Sequence, residues 1–265
     1  MLATRVKSAA ILFAIVIIPA LLGGLPFFAL VALITALASD EFNKLLRSGG
    51  HYPQAWLVIS LSLLFVVQAQ WATLLPLPLL LTGIVIGTLL LSLWHQSPQP
   101  VTDWALMLAG SLYLGWLSGH AITLRTLPNG LTWLALGAFM VWAGDVSAFF
   151  TGRAWGRHRW WPRHSPKKSW EGYIAGALAT MFVGLLGGHY WVGLGWLEGS
   201  VLGALVGLVV PLGDLAESML KRQVHVKDSG TAIPGHGGVL DRIDTLLIAL
   251  PLVFYWASAM PRWPF

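Results

Sequence analysis

Apolar residues in this chain run in long unbroken blocks rather than in the alternation of a half-solvated strand or the stripe of a surface helix, and the blocks recur from one end to the other. The hydrocarbon core of a bilayer is about 30 Å thick and takes roughly 20 helical residues to cross. Nine blocks approach that length: residues 8–22, 25–39, 53–70, 75–94, 104–124, 130–150, 172–191, 199–218 and 244–260. The pattern predicts an all-α fold, a polytopic transmembrane helix bundle of about nine spans. The first two blocks are short, and a re-entrant hairpin is their alternative. Arg5 and Lys7 ahead of the first block also fit a signal peptide. A second apolar block follows Gly23 and Gly24 directly, so a retained first helix is the simpler reading. No repeat, linker or low-complexity stretch interrupts the pattern. One integral membrane domain over 1–265 is expected, with an N-terminal helix bundle (1–129) and a C-terminal half (130–265) that holds most of the polar residues.

Composition agrees with the pattern: 56% of residues are hydrophobic and 10% charged, against roughly 25% charged in soluble domains. The net charge of +5 does not point to nucleic acid, because the basic residues lie in short loops between apolar blocks rather than on one helix or tail. They act as topology signals. With nine spans and the N-terminus inside, the inner set is Arg5, Lys7, Lys44, Arg47, Arg153, Arg157, Arg159, Arg163, Lys167, Lys168, Lys221, Arg222, Lys227 and Arg242, and only Arg125 and Arg262 fall outside. Dropping one middle span would scatter these charges over both faces. The chain has no cysteine, so any metal must be held by oxygen or imidazole.

Small residues four apart, Gly83 and Gly87, Gly172 and Gly176, Gly184 and Gly188, Gly203 and Gly207, suit close helix packing in lipid. Pro211 inside the eighth block is expected to kink it or to free a carbonyl just before Asp214.

The acids carry the chemistry, because an ionised carboxylate beside hydrocarbon costs several kcal/mol unless a cation or donor offsets it. Asp40, Glu41, Asp103 and Glu198 fall in connecting segments and read as solvated loop charges. The other seven, Asp145, Glu171, Asp214, Glu217, Asp228, Asp241 and Asp244, map to span ends or loops of the inner face. Asp214, Glu217, Ser218 and Lys221 are spaced i, i+3, i+4, i+7 and share one helix stripe. Asp241 and Asp244, again three apart, open the last helix on a common side. Hard oxygen ligands suit magnesium or manganese rather than zinc. Spacing alone does not separate such a site from salt bridges to Lys221, Arg222 and Arg242.

Between the two helices, Lys227, Asp228, Ser229, Gly230 and the run Pro234 to Gly238 make a glycine-rich loop ahead of a helix N-terminus, which suits phosphate oxygens. His236 within it is open to metal binding, donation to phosphate, or packing in a turn, the last being favoured for a single histidine. The earlier inner loop carries Arg153, Arg157, Arg159, Arg163, Lys167 and Lys168 among Trp155, Trp160, Trp161 and Trp170, a composition that anionic headgroups and the aromatic belt explain. The run Ser165-Pro166-Lys167-Lys168-Ser169 goes further, placing two ammonium groups and two hydroxyls in a stiff turn before Glu171. Asp145, at the inner end of the sixth span, reaches the same surface.

These residues resemble the phosphatidate cytidylyltransferase (CDP-diacylglycerol synthase) family. The signature runs Ser218-Met219-Leu220-Lys221-Arg222, then Lys227-Asp228, Pro234-Gly235-His236-Gly237-Gly238 and Asp241-Arg242-Ile243-Asp244. Gly144-Asp145, Ala148, Gly152 and Gly156, then Ser165 through Gly172, resemble a second block, and Gly213-Asp214, Glu217 and Ser218 a third. The resemblance covers the C-terminal half; the N-terminal half is similar only in hydropathy. Phe149 departs from the pattern, where a tyrosine is expected. The resemblance implies that CTP and phosphatidate give CDP-diacylglycerol and pyrophosphate, with magnesium, at the cytoplasmic face of a bacterial inner membrane, in a homodimer. Whether two metals act, or magnesium beside a monovalent cation, stays open.

Combined with that resemblance, the expected metal ligands are Asp214, Glu217, Asp241 and Asp244. Lys221, Arg222, Lys227, Asp228 and His236 join Asp214, Asp241 and Asp244 in the catalytic set. Asp145, Ser165, Lys167, Lys168, Ser169, Glu171, Ser218, Gly237, Gly238 and Arg242 are expected to bind substrate. A transporter is the rival from another class, but its acids would be expected near mid-membrane rather than at one face.

Overall fold

Helices dominate because a backbone surrounded by hydrocarbon must satisfy its N–H and C=O groups within the segment. The computed structural model describes residues 14–230 and 237–259. Arg5, Lys7, the leading part of the first span (8–13), Pro234, Gly235, His236 and Arg262 lie outside the described residues. The chain gathers into two compact units, Met1–Thr123 with Gln223–Arg242, and Leu124–Arg222 with Ile243–Phe265.

The first unit holds α1 (residues 14–22), α2 (Gly24–Ser48), α3 (Ala55–Gln70), α4 (Leu77–Ser92), α5 (Pro100–Ser111), a π-helical turn (Leu112–Trp116) and most of α6 (Leu117–Thr126). Gly23 at φ 67° separates α1 from α2. Pro78 and Pro100 sit at helix starts, where a missing N–H costs nothing. At the π-turn a Cβ on Gly115 would lie 2.5 Å from Ser62 Cα, so only glycine allows that approach to α3. α2 differs from expectation. It continues to Ser48, 25 residues in all, long and apolar enough to cross a bilayer, and it carries Asp40 and Glu41 inside the helix instead of in a loop. The extension follows from Ala38, Phe42, Leu45 and Leu46, which prolong its buried stripe. Asp103 is also no solvated loop charge. It is 2% exposed in the first turn of α5 and accepts from the Tyr52 amide at 3.0 Å and from the Ser97 hydroxyl.

The second unit holds α7 (Gly130–Trp155), β1 (Arg159–Trp161), β2 (Ser165–Ser169), α8 (Trp170–Val192), α9 (Trp196–Gln223) and most of α10 (Leu240–Ala259). Its core is built from Leu136, Met140, Leu202, Val206, Ala249 and Val253 among others. Three of the four small-residue pairs pack as the sequence predicts. The tightest contact is between α8 and α9: a Cβ on Gly184 would meet Gly203 Cα at 2.6 Å, and one on Gly203 would meet Met181 Cα at 2.7 Å. The fourth pair, Gly83 and Gly87, faces open space on α4. α9 runs through Pro211. That residue offers no N–H to the carbonyl of Gly207, and Tyr173 donates its hydroxyl to the next carbonyl, Leu208, at 2.9 Å. The expected turn at Ser165–Ser169 is instead a strand, paired antiparallel with β1 in the register Arg159 to Ser169 and Trp161 to Ser165. The all-α expectation therefore needs one small hairpin added.

Among the described residues, six helices are long and apolar enough to cross a membrane: Gly24–Ser48, Pro100–Thr126, Gly130–Trp155, Trp170–Val192, Trp196–Gln223 and Leu240–Ala259. α3 and α4, at 16 residues each, span about 24 Å. Large apolar side chains such as Leu33, Ile86, Phe150, Phe182 and Leu197 are exposed, as lipid-facing surface requires. This is an integral membrane protein.

Gly203→Leu should push α8 and α9 apart, because the new side chain meets backbone rather than a movable tip, and should cost about 1–3 kcal/mol of stability. Gly83→Leu should be neutral. Thermal unfolding of the two variants in detergent checks the contrast, and equal melting temperatures would refute it.

Candidate active site

Three carboxylates of the second unit converge although they come from two helices. One oxygen from each of Asp214, Glu217 and Asp244 lies within 4.8 Å of the others. α9 supplies the first two through its i, i+3 spacing, and α10 supplies the third. Glu217 is 1% exposed and Asp244 6%, so solvent does little to screen their mutual repulsion. Two lysines approach. Lys221 Nζ lies 2.5 Å from Glu217 one turn along α9, and Lys168 Nζ lies 2.6 Å from Asp214. Asp145 on α7 stands within electrostatic reach of Asp214 and Lys168.

Lys168 reaches this group from the end of the β-hairpin. Trp160 stacks on Tyr173 with ring centroids 4.3 Å apart, and Lys168 lies 6.0 Å from the Trp160 centroid. Ser169 is buried and caps α8 by accepting from the Gly172 amide at 3.2 Å, so its oxygen already has a structural task. Glu171 accepts from the His158 amide at 3.1 Å and contacts His158 Nδ1 at 2.7 Å, which closes the hairpin rather than facing the carboxylate cluster. Lys167 is exposed, and Ser165 and Ser218 are half-buried. Arg222 is exposed and reaches the carbonyl of His164 at 3.4 Å.

The remaining predicted residues among those described, Lys227, Asp228, Gly237, Gly238, Asp241 and Arg242, belong to the first unit. Asp241 is not part of the three-carboxylate cluster. Its Oδ2 accepts from the amides of Ser229 and Gly238, each at 3.0 Å. Gly237 has a φ of 85°, the left-handed region that favours glycine. Lys227, Asp228 and Arg242 are exposed. Sequence reasoning missed Glu41. Its two carboxylate oxygens accept from Val239 N at 3.0 Å, Leu240 N at 2.9 Å and Ser229 Oγ at 3.2 Å. The signal was present: Glu41 stands three residues after Ala38 and four before Leu45, on the buried stripe of α2.

The donor set fits a hard cation. Three carboxylates offer oxygens within 4.8 Å of one another, with no sulfur and no imidazole among them. Two ammonium groups, those of Lys168 and Lys221, lie against these carboxylates. A cation bound to carboxylates beside lysines is an arrangement for handling polyphosphate.

The chain matches the model of the cytidylyltransferase family over residues 3–260. It is 34% identical over 281 residues to the phosphatidate cytidylyltransferase of Synechocystis, an alignment that covers 95% of each chain. It is 35% identical over 264 residues to the protein of that name from Pseudomonas aeruginosa, covering 94% of this chain and 96% of the relative. With the Brucella abortus protein of the same name it shares 35% identity over 239 residues, covering 89% and 81%. A family that moves nucleotides suggests metal use, in keeping with the acidic cluster. The match runs through both units and includes every described residue of the site, and the chain belongs to the cytidylyltransferase family.

Proposed function

We propose that this protein transfers the cytidylyl group of CTP to phosphatidate, giving CDP-diacylglycerol and pyrophosphate, at the cytoplasmic face of a bacterial inner membrane. The observation that carries this reading is the cluster of Asp214, Glu217 and Asp244 edged by Lys168 and Lys221, in a chain of this family. The names of its relatives supply the acceptor. The placement rests on the distribution of charge: in a topology of nine crossings with the N-terminus inside, both motif-bearing loops fall on the lysine- and arginine-rich side. The family resemblance adds a homodimer.

In the proposed reaction an oxygen of the lipid phosphate attacks the α-phosphorus of CTP. The bond from that phosphorus to the bridging oxygen breaks, and pyrophosphate leaves with the electron pair. The attacking phosphate monoester is already anionic near neutral pH, so no general base is required. The protein's task is to hold two polyanions in line against their repulsion. Lys168, Lys221, Arg222 and Lys227 contact phosphate oxygens. Asp145 orients Lys168, and Lys167, Ser165, Ser218 and Arg242 are the contacts for headgroup and nucleotide. Gly237, Gly238, His236 and Asp228 belong to the glycine-rich sequence suited to phosphate. Asp214, Glu217 and Asp244, with Asp241 close by in sequence on the same helix as Asp244, would hold magnesium, which would supply neutralisation of the charge that builds on the entering and leaving oxygens.

Purified protein given CTP, phosphatidate and magnesium should release pyrophosphate and a CDP-lipid in equal amounts, and excess EDTA should stop both. No turnover with any divalent metal would sink the reading. Asp244→Asn should lower kcat on the order of 100-fold with little change in melting temperature, since the amide keeps the shape but not the charge. Near-normal kcat would remove Asp244 from the metal site. Lys167→Ala should raise the KM for one substrate with kcat nearly unchanged; unaltered constants would return its loop to a purely topological role.

A further inference from the structure

The glycine-rich loop meets an anion in this structure, and the anion is part of the protein. Glu41, 4% exposed on α2, receives the amides of Val239 and Leu240, the residues at the very start of α10, together with the hydroxyl of Ser229. These partners stand 188 to 199 residues away along the chain. The fit is close on both sides. A Cβ on Gly230 would lie 2.5 Å from Glu41 Oε1, and one on Gly238 would lie 2.5 Å from Glu41 Oε2. The loop also rests on the end of α2 where it leaves α9. A Cβ on Gly49 would lie 2.4 Å from Val224 Cγ1. Asp241 completes the arrangement by accepting the amides of Ser229 and Gly238. Two carboxylates thus share four backbone N–H groups, and the outer one caps a helix from a different part of the chain.

We propose that Glu41 is a positioning residue for the cytidylyl transfer: it fixes the loop of Asp228 and Ser229 and the first turn of α10, and so sets where Asp241 and Asp244 point. The proposal rests on the function inferred above. Glu41 touches neither substrate nor metal; it acts through the backbone that carries residues that do. A glutamine keeps the size and one acceptor oxygen but turns an N–H₂ group toward an amide that needs an acceptor. Glu41→Gln therefore tests the carboxylate rather than the volume.

The test uses the full chain in detergent, wild type and Glu41→Gln, with Glu41→Asp as a second variant that keeps the charge at shorter reach. Amide hydrogen exchange over residues 237–244 should be faster in Glu41→Gln, and affinity for manganese alone should weaken by about 10- to 100-fold, the usual effect of losing an outer support of a metal site. With CTP and phosphatidate, kcat should fall by a similar factor while KM for CTP stays within a few-fold, and Glu41→Asp should recover part of the loss. Unchanged exchange and manganese affinity in Glu41→Gln would overturn the proposal. So would a fall in activity that parallels a lower melting temperature and disappears on cooling, because that is a merely structural role. If the wild type made no CDP-lipid, the proposed function would fail, while the exchange and manganese measurements would still decide whether Glu41 holds the acidic helix.

Discussion

A carboxylate taken out of water must be met by positive charge or by N–H and O–H donors, and this requirement organises the polar half of the molecule. The structure meets it in three ways. Lysines answer Asp214 and Glu217. Backbone amides at and before the start of α10 and the Ser229 hydroxyl answer Glu41, and the amides of Ser229 and Gly238 answer Asp241. The Tyr52 amide and the Ser97 hydroxyl answer Asp103. Among the described residues, Asp214, Glu217 and Asp244 form the group of three carboxylates that could hold a cation.

The apolar half answers to a different constraint. Between helices in lipid the hydrophobic effect offers little, so association comes from close contact of backbones. Glycines on α8 and α9 bring those helices near enough for main-chain atoms to touch, and this contact places α9 with its two site carboxylates against a stable neighbour. Gly115 does the same for the first unit at the π-turn. The side chains pointing away from these seams are large and apolar because their partner is lipid.

Much of this was legible in the sequence, and the parts that were not share a cause. Each predicted apolar block has its helix in the described residues, because a run of apolar residues is a local signal. The stripe from Asp214 to Lys221 was readable for the same reason: its partners stand one turn apart on one helix. Glu41 was not, because its partners are far along the chain and because ending the span at residue 39 placed it in solvent. Asp103 was misread on similar grounds. Gly83 and Gly87 have the spacing of an interface without being one, since spacing does not say whether another helix is opposite. The hairpin was hidden by Pro166 and two lysines, which have poor strand propensity and pair here only because α7 and α8 return the chain on itself.

The cap at Ser169 has a kinetic meaning. Ser169 is buried, holds the first turn of α8, and its Oγ stands so near Gly156 that a Cβ there would lie 2.7 Å away. Lys168 is therefore rooted in a fixed backbone while its ammonium rests on Asp214. In the proposed reaction, handing that ammonium from Asp214 to a phosphate takes rotation of one side chain about a backbone that stays in place.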